Sequence, residues 1–355
     1  MSAVAGSEPL VVGIMYPAEY DVRPAEVLAA ELERLVAVDP RIELVDVRYV
    51  EDHALRTRRG ADPDLDLRHE TPALTEEQRR AFERVEVVLA MDLPFDVTRL
   101  APRLRWVQGM GAGVSQLLSA GLPNEQVRLT TAAGVNAVSI AEFVLARLLQ
   151  VWKRLPELEE RQRQHRWDPA YGKEVAGSVL VVVGLGAIGR QVARRARALG
   201  MEVLACRRSA TEGARDPDVD LLVGPDRLAE LLGRADAVVA AVAESPSSVG
   251  LFGAPQFAAM PEGSVFVNVG RGSAVDEGAL VAALESGHLR AAALDVVVDE
   301  PLAPDAPLWE APNLFLSAHC STAVERFWPN LYNLFADNLR RYLADQPLHN
   351  QVEGR

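Results

Sequence analysis

The chain has 355 residues, enough for two domains with ample cores. Its net charge of -13 argues against nucleic acid or an anionic membrane as the main partner, because both select basic surfaces. Two cysteines without metal or disulfide spacing, no basic leader and no bilayer-length apolar run predict a soluble cytoplasmic protein.

In chain order, "LVVGI" (10–14) predicts a buried strand, followed by a helix over 24–36 and a second strand over 42–48. The charged, aperiodic segment 51–70, with Gly60 and Pro63, predicts a surface loop. A helix over 75–82 is announced by Glu76 and Glu77, whose charges suit the positive end of its dipole. Strands follow over 85–90 and 104–108. Apolar residues at helical period over 137–155 predict a long buried helix, and the polar stretch after it an irregular arm. From Gly177 a second alternation begins, with strands over 179–183, 202–206, 237–242, 264–269, 291–295 and 313–318. A helical tail over 324–343 closes the chain. Alternating strands and helices mean parallel sheets covered on both faces, so the expected fold class is α/β with two Rossmann-like doubly wound units.

"GLGAIG" (184–189) is a G-x-G-x-x-G run between an apolar strand and a helix, and that context makes it a dinucleotide-binding signal. Gly184 would permit the tight turn, Gly186 would let a pyrophosphate approach the backbone, and Gly189 would let helix and strand pack. Ala187 and Ile188 complete the loop, where free N–H groups face the anion. About twenty residues on, where NAD-preferring sites place an acidic residue on the ribose, the chain reads Arg207, Arg208, Ser209. A cationic fork beside a hydroxyl suits a 2′-phosphate, and no carboxylate is present there to repel one. NADP(H) is therefore favoured, with NAD(H) as the alternative.

Three segments near the end of the second unit carry the candidate chemistry. Arg271 lies between two glycines after an apolar strand, Asp295 stands at a strand end with Glu300 before a proline, and "LFLSAHCST" ends a strand in His319. Strand ends of an open parallel sheet point to its ligand crevice, so these four side chains are expected to converge there. Taken singly, a histidine at a strand end or an arginine in a turn is more often structural or solvated. Their joint occurrence beside a dinucleotide loop changes the balance. No spacing suggests a metal site, and His165 in the polar arm reads as surface. Trp106, Trp152 and Trp309 are assigned to core or interface.

The glycine loop, "NVGRG", "ALDV…EPL…PLW" and the histidine after a strand, in that order over about 85–345, resemble the D-2-hydroxyacid dehydrogenase family. That family includes glyoxylate/hydroxypyruvate reductases. The resemblance implies that Arg271 holds a substrate carboxylate, and that Glu300 orients and charges His319, which moves a proton to or from the substrate oxygen. It also implies nicotinamide contact by Asp295 and cofactor contact by Val269 and Gly270. The loop "GMGAGVSQL" (109–117) is similar to the family's substrate loop, which gives Met110, Ala112 and Gly113 to the substrate. Residues 1–136 with 321–355 would form the substrate domain and 137–320 the NAD(P) domain, with a homodimer joined through 137–175. Ala243, Ser245 and Ala318 depart from the family pattern, which expects proline and threonine in the first segment and a proline before the histidine. The implied function is interconversion of a small 2-oxo acid and a D-2-hydroxy acid. The alternatives are a D-3-phosphoglycerate dehydrogenase-like enzyme and a dinucleotide-sensing corepressor-like protein. Formate dehydrogenase is disfavoured because that branch has a glutamine where this chain has Glu300.

Overall fold

The computed structural model describes residues 8–17, 21, 23–46 and 48–353. The chain divides into two compact units, one made of residues 1–135 with 324–355 and the other of 136–323.

The first unit runs β1 (Leu10–Met15), α1 (Ala25–Val36), β2 (Ile42–Asp46), α2 (His53–Ala61), α3 (Glu76–Arg84), β3 (Val87–Ala90), α4 (Val97–Leu100), β4 (Trp106–Gly109), α5 (Ser115–Leu118) and β5 (Arg128–Thr130). Its five strands pair in parallel in the order β2-β1-β3-β4-β5. Alternate residues of β1 serve two cores. Leu10, Val12 and Ile14 join one cluster, while Val11 and Met15 join the other, as the two-residue period of a doubly covered strand requires.

The final helix of the chain returns to this unit. Its Trp328, Leu331, Tyr332, Phe335 and Leu339 enter the same cluster as Leu10 and Val12. A buried polar chain adds direction to that packing. Asn338 donates to Gln108 at 3.1 Å, Thr130 donates to the same oxygen at 2.8 Å, and the Trp106 indole donates to Thr130 at 2.9 Å.

The second unit runs α6 (Ala137–Trp152), α7 (Leu155–Arg163), β6 (Val179–Val183), α8 (Ala187–Ala198), β7 (Glu202–Cys206), β8 (Leu221–Val223), α9 (Leu228–Leu232), β9 (Ala237–Ala240), α10 (Ala254–Ala259), β10 (Ser264–Asn268), α11 (Glu277–Glu285), β11 (Leu289–Leu294) and β12 (Leu314–Leu316). Seven parallel strands lie in the order β12-β11-β10-β9-β6-β7-β8. Here too, Leu180 and Val182 face one core and Val181 and Val183 the other. The order reverses between β6 and β9, so the crevice beyond their carboxyl ends is the natural ligand position. Both units are thus Rossmann-like parallel-sheet α/β structures, as the sequence predicts.

Several local expectations are corrected or sharpened. The segment 51–70 is not simply a loop, because α2 occupies His53–Ala61, capped by Asp52, which accepts a hydrogen bond from the Leu55 N–H at 2.8 Å. Arg59 on that helix is buried and bonded to Glu51, to the Leu93 carbonyl at 2.9 Å and to Ser119 at 2.7 Å, the last two distant in sequence. The helix read over 137–155 stops at Trp152, where Arg154 turns to a positive φ of 57°. The supposedly irregular arm then begins with α7. Trp309 is half exposed, its indole donating to the Ala303 carbonyl, whereas Trp106 and Trp152 are buried. The strand read over 42–48 ends at Asp46, and residue 47 lies outside the described residues.

Candidate active site

The glycine run sits at the carboxyl end of β6, beside the reversal in strand order. Gly184 has a φ of +99°, which residues with a side chain rarely adopt, and a Cβ there would lie 2.6 Å from the Ala241 carbonyl oxygen. A Cβ on Gly189 would lie 2.1 Å from the Gly184 carbonyl oxygen, so this glycine lets α8 close onto its strand. Gly186, the residue before α8, is different: a Cβ there would meet nothing within 4 Å. A side chain would project into open space at the N-terminus of a twelve-residue helix that has no side-chain cap. Unsatisfied N–H groups and the helix dipole make that space fit a pyrophosphate. Ala187 and Ile188 form the first turn of α8.

β7 ends at Cys206, so Arg207 is the first residue beyond the strand. Its side chain is about one-third exposed (34%), and its Nε is buried without a hydrogen-bond partner among the described residues. Arg208 and Ser209 follow it on the exposed surface. The expectation that no carboxylate lies near this group is corrected by Asp216, whose Oδ2 stands 4.0 Å from Arg207 Nη1. Asp216 comes from the loop between β7 and β8. It is held more closely by Arg190 of α8, at 2.7 and 2.9 Å, and Asp218 is shared between Arg190 and Arg194. Three arginines therefore surround two aspartates, with Arg207 the least neutralised. Sequence reading missed Arg190 and Asp216, and the paired charges in "GARDPDVD" were the available signal.

Three neighbouring strands deliver the remaining residues. The register pairs Asn268 of β10 with Leu294 of β11, and Leu294 with Leu316 of β12. The segments holding Arg271, Asp295 and His319 therefore leave the sheet side by side. Val269 and Gly270 are buried in the turn before Arg271. Gly272 after it is obligatory, because a Cβ would lie 1.8 Å from the Val297 carbonyl oxygen. That close approach seats the arginine turn against the segment leading to Glu300. Arg271 donates from Nη1 to the Gly270 carbonyl at 2.8 Å, and its Nε lies 4.0 Å from Glu244.

His319 Nδ1 and Glu300 Oε2 are 2.9 Å apart, and Glu300 Oε1 accepts from the Val297 N–H at 3.2 Å. The carboxylate acceptor assigns the proton to Nδ1 and leaves Nε2 as the outward nitrogen. The hydrogen bond to Glu300 raises the His319 pKa above the usual imidazole range. Partial burial opposes the rise, the charges of Glu300 and Asp295 add to it, and Arg271 works against it. Burial pushes the Glu300 carboxyl up, but the His319 hydrogen bond and charge, the Val297 N–H and Arg271 outweigh it and hold the carboxyl below its ordinary range. His319 itself has a φ of +50°, a conformation costing about 1 kcal/mol or more outside glycine, and its ring is largely exposed.

Asp295 is buried at the end of β11, and its carboxylate is satisfied by the histidine's own segment. Oδ1 accepts from Ser317 Oγ at 2.8 Å, the Cys320 N–H at 2.9 Å and the Ser321 N–H at 3.0 Å, while Oδ2 accepts from Ser321 Oγ. The proposed substrate loop belongs to the first unit. There Met110 is buried after β4, and Ala112 and Gly113 are exposed. Among the described residues no group of three or more His, Cys, Asp or Glu side chains is arranged to hold a metal ion. No described helix is long and apolar enough to cross a membrane.

Residues 145–321 match the family described as D-isomer specific 2-hydroxyacid dehydrogenase, NAD binding domain. The chain is 32% identical over 282 residues to glyoxylate/hydroxypyruvate reductase B of Klebsiella pneumoniae subsp. pneumoniae, covering 76% of this chain and 84% of that protein. It is 29% identical over 273 residues to D-3-phosphoglycerate dehydrogenase of Archaeoglobus fulgidus, covering 76% of this chain but only 51% of that longer protein. The crystal structure of a D-isomer specific 2-hydroxyacid dehydrogenase from Xanthobacter autotrophicus Py2, in complex with NADPH and MES, superposes with a TM-score of 0.75. The identity is 28%, with 98% of each chain covered. The chain belongs to the D-isomer specific 2-hydroxyacid dehydrogenase family and is an NAD(P)-dependent oxidoreductase of small 2-oxo and 2-hydroxy acids.

The His319–Glu300 contact makes a prediction that needs no substrate. In an NMR titration the His319 imidazole should lose its proton above the ordinary value of about 6.5. Glu300→Gln removes the main cause of the rise, so the titration should move to lower pH. A midpoint unchanged by that substitution would show that the contact does not set the imidazole's charge.

Proposed function

We propose that the protein reduces a small 2-oxo acid of the glyoxylate or hydroxypyruvate type to the D-2-hydroxy acid, with NADPH as the favoured cofactor. The observation that carries this reading is the His319–Glu300 pair, with an exposed imidazole whose outward Nε2 lies opposite its carboxylate contact. When bound, the cofactor supplies a hydride to the substrate's carbonyl carbon. His319, whose protonated form Glu300 favours, donates from Nε2 to the carbonyl oxygen where negative charge develops. Arg271 presents a planar, permanently charged fork to the substrate carboxylate and thereby orients the reacting carbon. Glu300 fixes the imidazole tautomer and stabilises the charged form. Ala112 and Gly113 are assigned to backbone donation toward the carboxylate, and Met110 to the substrate pocket, supported by the loop's likeness to the family pattern.

Support for NADPH comes from Arg207, whose charge is only loosely met by Asp216, and from the NADPH complex of the Xanthobacter relative. Val269 and Gly270, at the turn before Arg271, are assigned to cofactor contact. The substrate class is supported by the 32% identity with the Klebsiella reductase over most of its length. Several apolar side chains left exposed in the second unit fall between residues 137 and 175, among them Val138, Leu155, Leu158, Trp167 and Tyr171. An exposed apolar set of that kind supports a homodimer joined through this region.

His319→Ala should lower turnover of hydroxypyruvate by roughly two to four orders of magnitude, the usual scale for a general acid. Cofactor affinity should stay near that of the unmodified protein, and near-normal turnover in a folded variant would remove His319 from the chemistry. For the cofactor, the ratio of kcat/KM with NADPH to that with NADH is the decisive quantity. One charge-assisted contact of about 1.5–3 kcal/mol gives a preference on the order of tenfold or more, diminishing as salt is added. Arg207→Asp should reverse the preference. A ratio of about one or less in the unmodified protein would reduce Arg207 and Arg208 to solvated surface.

A further inference from the structure

We infer that Asp295 is a positioning residue for the proton donor: its buried carboxylate gathers residues 317–321 into the turn that presents His319. This rests on the assignment of His319 in the proposed function, and it gives Asp295 a task separate from any cofactor contact. Four donors from a five-residue stretch converge on one carboxylate, two from backbone N–H groups and two from serine hydroxyls. The main chain closes the same turn from the other side. The His319 N–H donates to the Asp295 carbonyl at 2.9 Å and to the Ser317 carbonyl at 3.0 Å, and the Ser317 N–H donates to Leu294 at 2.9 Å.

The residue at the centre of this turn is the one that most needs holding. His319 adopts the left-handed region, which a free chain leaves for extended or right-handed backbone, so its geometry persists only where neighbours determine it. Ala318, where the family pattern expects a proline, leaves the preceding residue without the fixed φ of a pyrrolidine ring. The restraint therefore falls on the hydrogen bonds. A buried carboxylate is a strong anchor because its bonds are charge-assisted and any donor it loses leaves a charge poorly satisfied. The charged groups acting on the imidazole are Glu300 and Asp295, which favour its protonated form, and Arg271, which opposes it. Loss of the anchor would move His319 away from Glu300 and remove both favourable influences together.

Ser321→Ala, Ser317→Ala, Asp295→Asn and Asp295→Ala test the assignment in the full-length protein. Ser321→Ala deletes the only donor that Oδ2 has among the described residues, without altering any charge. It should lower kcat by about three- to tenfold with NADPH affinity unchanged in a fluorescence titration. Asp295→Ala should lower kcat on the order of a hundredfold, the scale of a misplaced catalytic group, and should move the His319 NMR titration to lower pH. Asp295→Asn, which keeps an acceptor of the same shape, should recover part of the rate. The titration is independent of turnover: if His319→Ala proves harmless, the proton-donor assignment fails, while the His319 titration in the two serine variants, which change no charge, still reports whether Asp295 holds the turn. Wild-type kcat at saturating NADPH in Asp295→Ala, with an unmoved His319 titration and only weaker cofactor binding, would overturn the inference. Should Asp295→Ala fail to fold, unchanged kcat and His319 titration in both serine variants would overturn it equally.

Discussion

The chemistry depends on one geometric constraint: the parallel strands of the second unit end along a common edge in a fixed lateral order. Across that edge run the segments after β12, β11, β10, β9, β6 and β7, carrying His319, Asp295, Arg271, Ala241, the glycine run and Arg207 in turn. Strands in a sheet lie about 4.8 Å apart, so register alone sets residues remote in sequence within a few side-chain lengths of each other. The reversal between β6 and β9 opens the crevice in the middle of this row. The arginine pair therefore lies to one side of the phosphate loop and the acid–base pair to the other, the arrangement an elongated dinucleotide requires.

Electrostatics then sort the groups along that edge. Asp295 is an anion removed from water, and among the described residues its compensation comes from dipoles rather than from a paired cation. Burying a carboxylate is costly unless its lone pairs are met, and here they are met by the segment the enzyme needs to fix. Glu300, less buried, is met by an imidazole instead. The same sign of charge thus holds the backbone in one case and sets a protonation state in the other. Arg271 is the counterweight, lowering the imidazole's tendency to stay charged while offering its fork to an anion.

Much of this was legible in sequence because it is local. The glycine spacing, the strand before it and the helix after it are contiguous, and the helical tail over 324–343 is marked by strong apolar periodicity. His319 could be named because it follows a recognisable strand, and Glu300 because it precedes a proline in a segment that resembles the family pattern. What remained hidden depends on partners distant in the chain. α2 carries Gly60 and many charges and reads as loop, yet Arg59 is buried against Glu51 and Ser119. The carboxylate near Arg207 comes from a loop whose course no periodicity reports. The strands β5 and β8 have three residues each, too few to show an alternation. Asp295 looked like a residue turned toward the ligand crevice. Its oxygens are instead taken by serines and backbone more than twenty residues later, contacts that no local pattern reports.

The most direct test of the account is the stereochemical outcome of one reaction. Hydroxypyruvate, unlike glyoxylate, yields a chiral product, so the unmodified protein incubated with hydroxypyruvate and NADPH can be followed by cofactor oxidation and by chiral chromatography of the glycerate formed. NADPH should be oxidised stoichiometrically and D-glycerate should be the product. Formation of L-glycerate, or no turnover of hydroxypyruvate or glyoxylate with either nicotinamide cofactor, would contradict it.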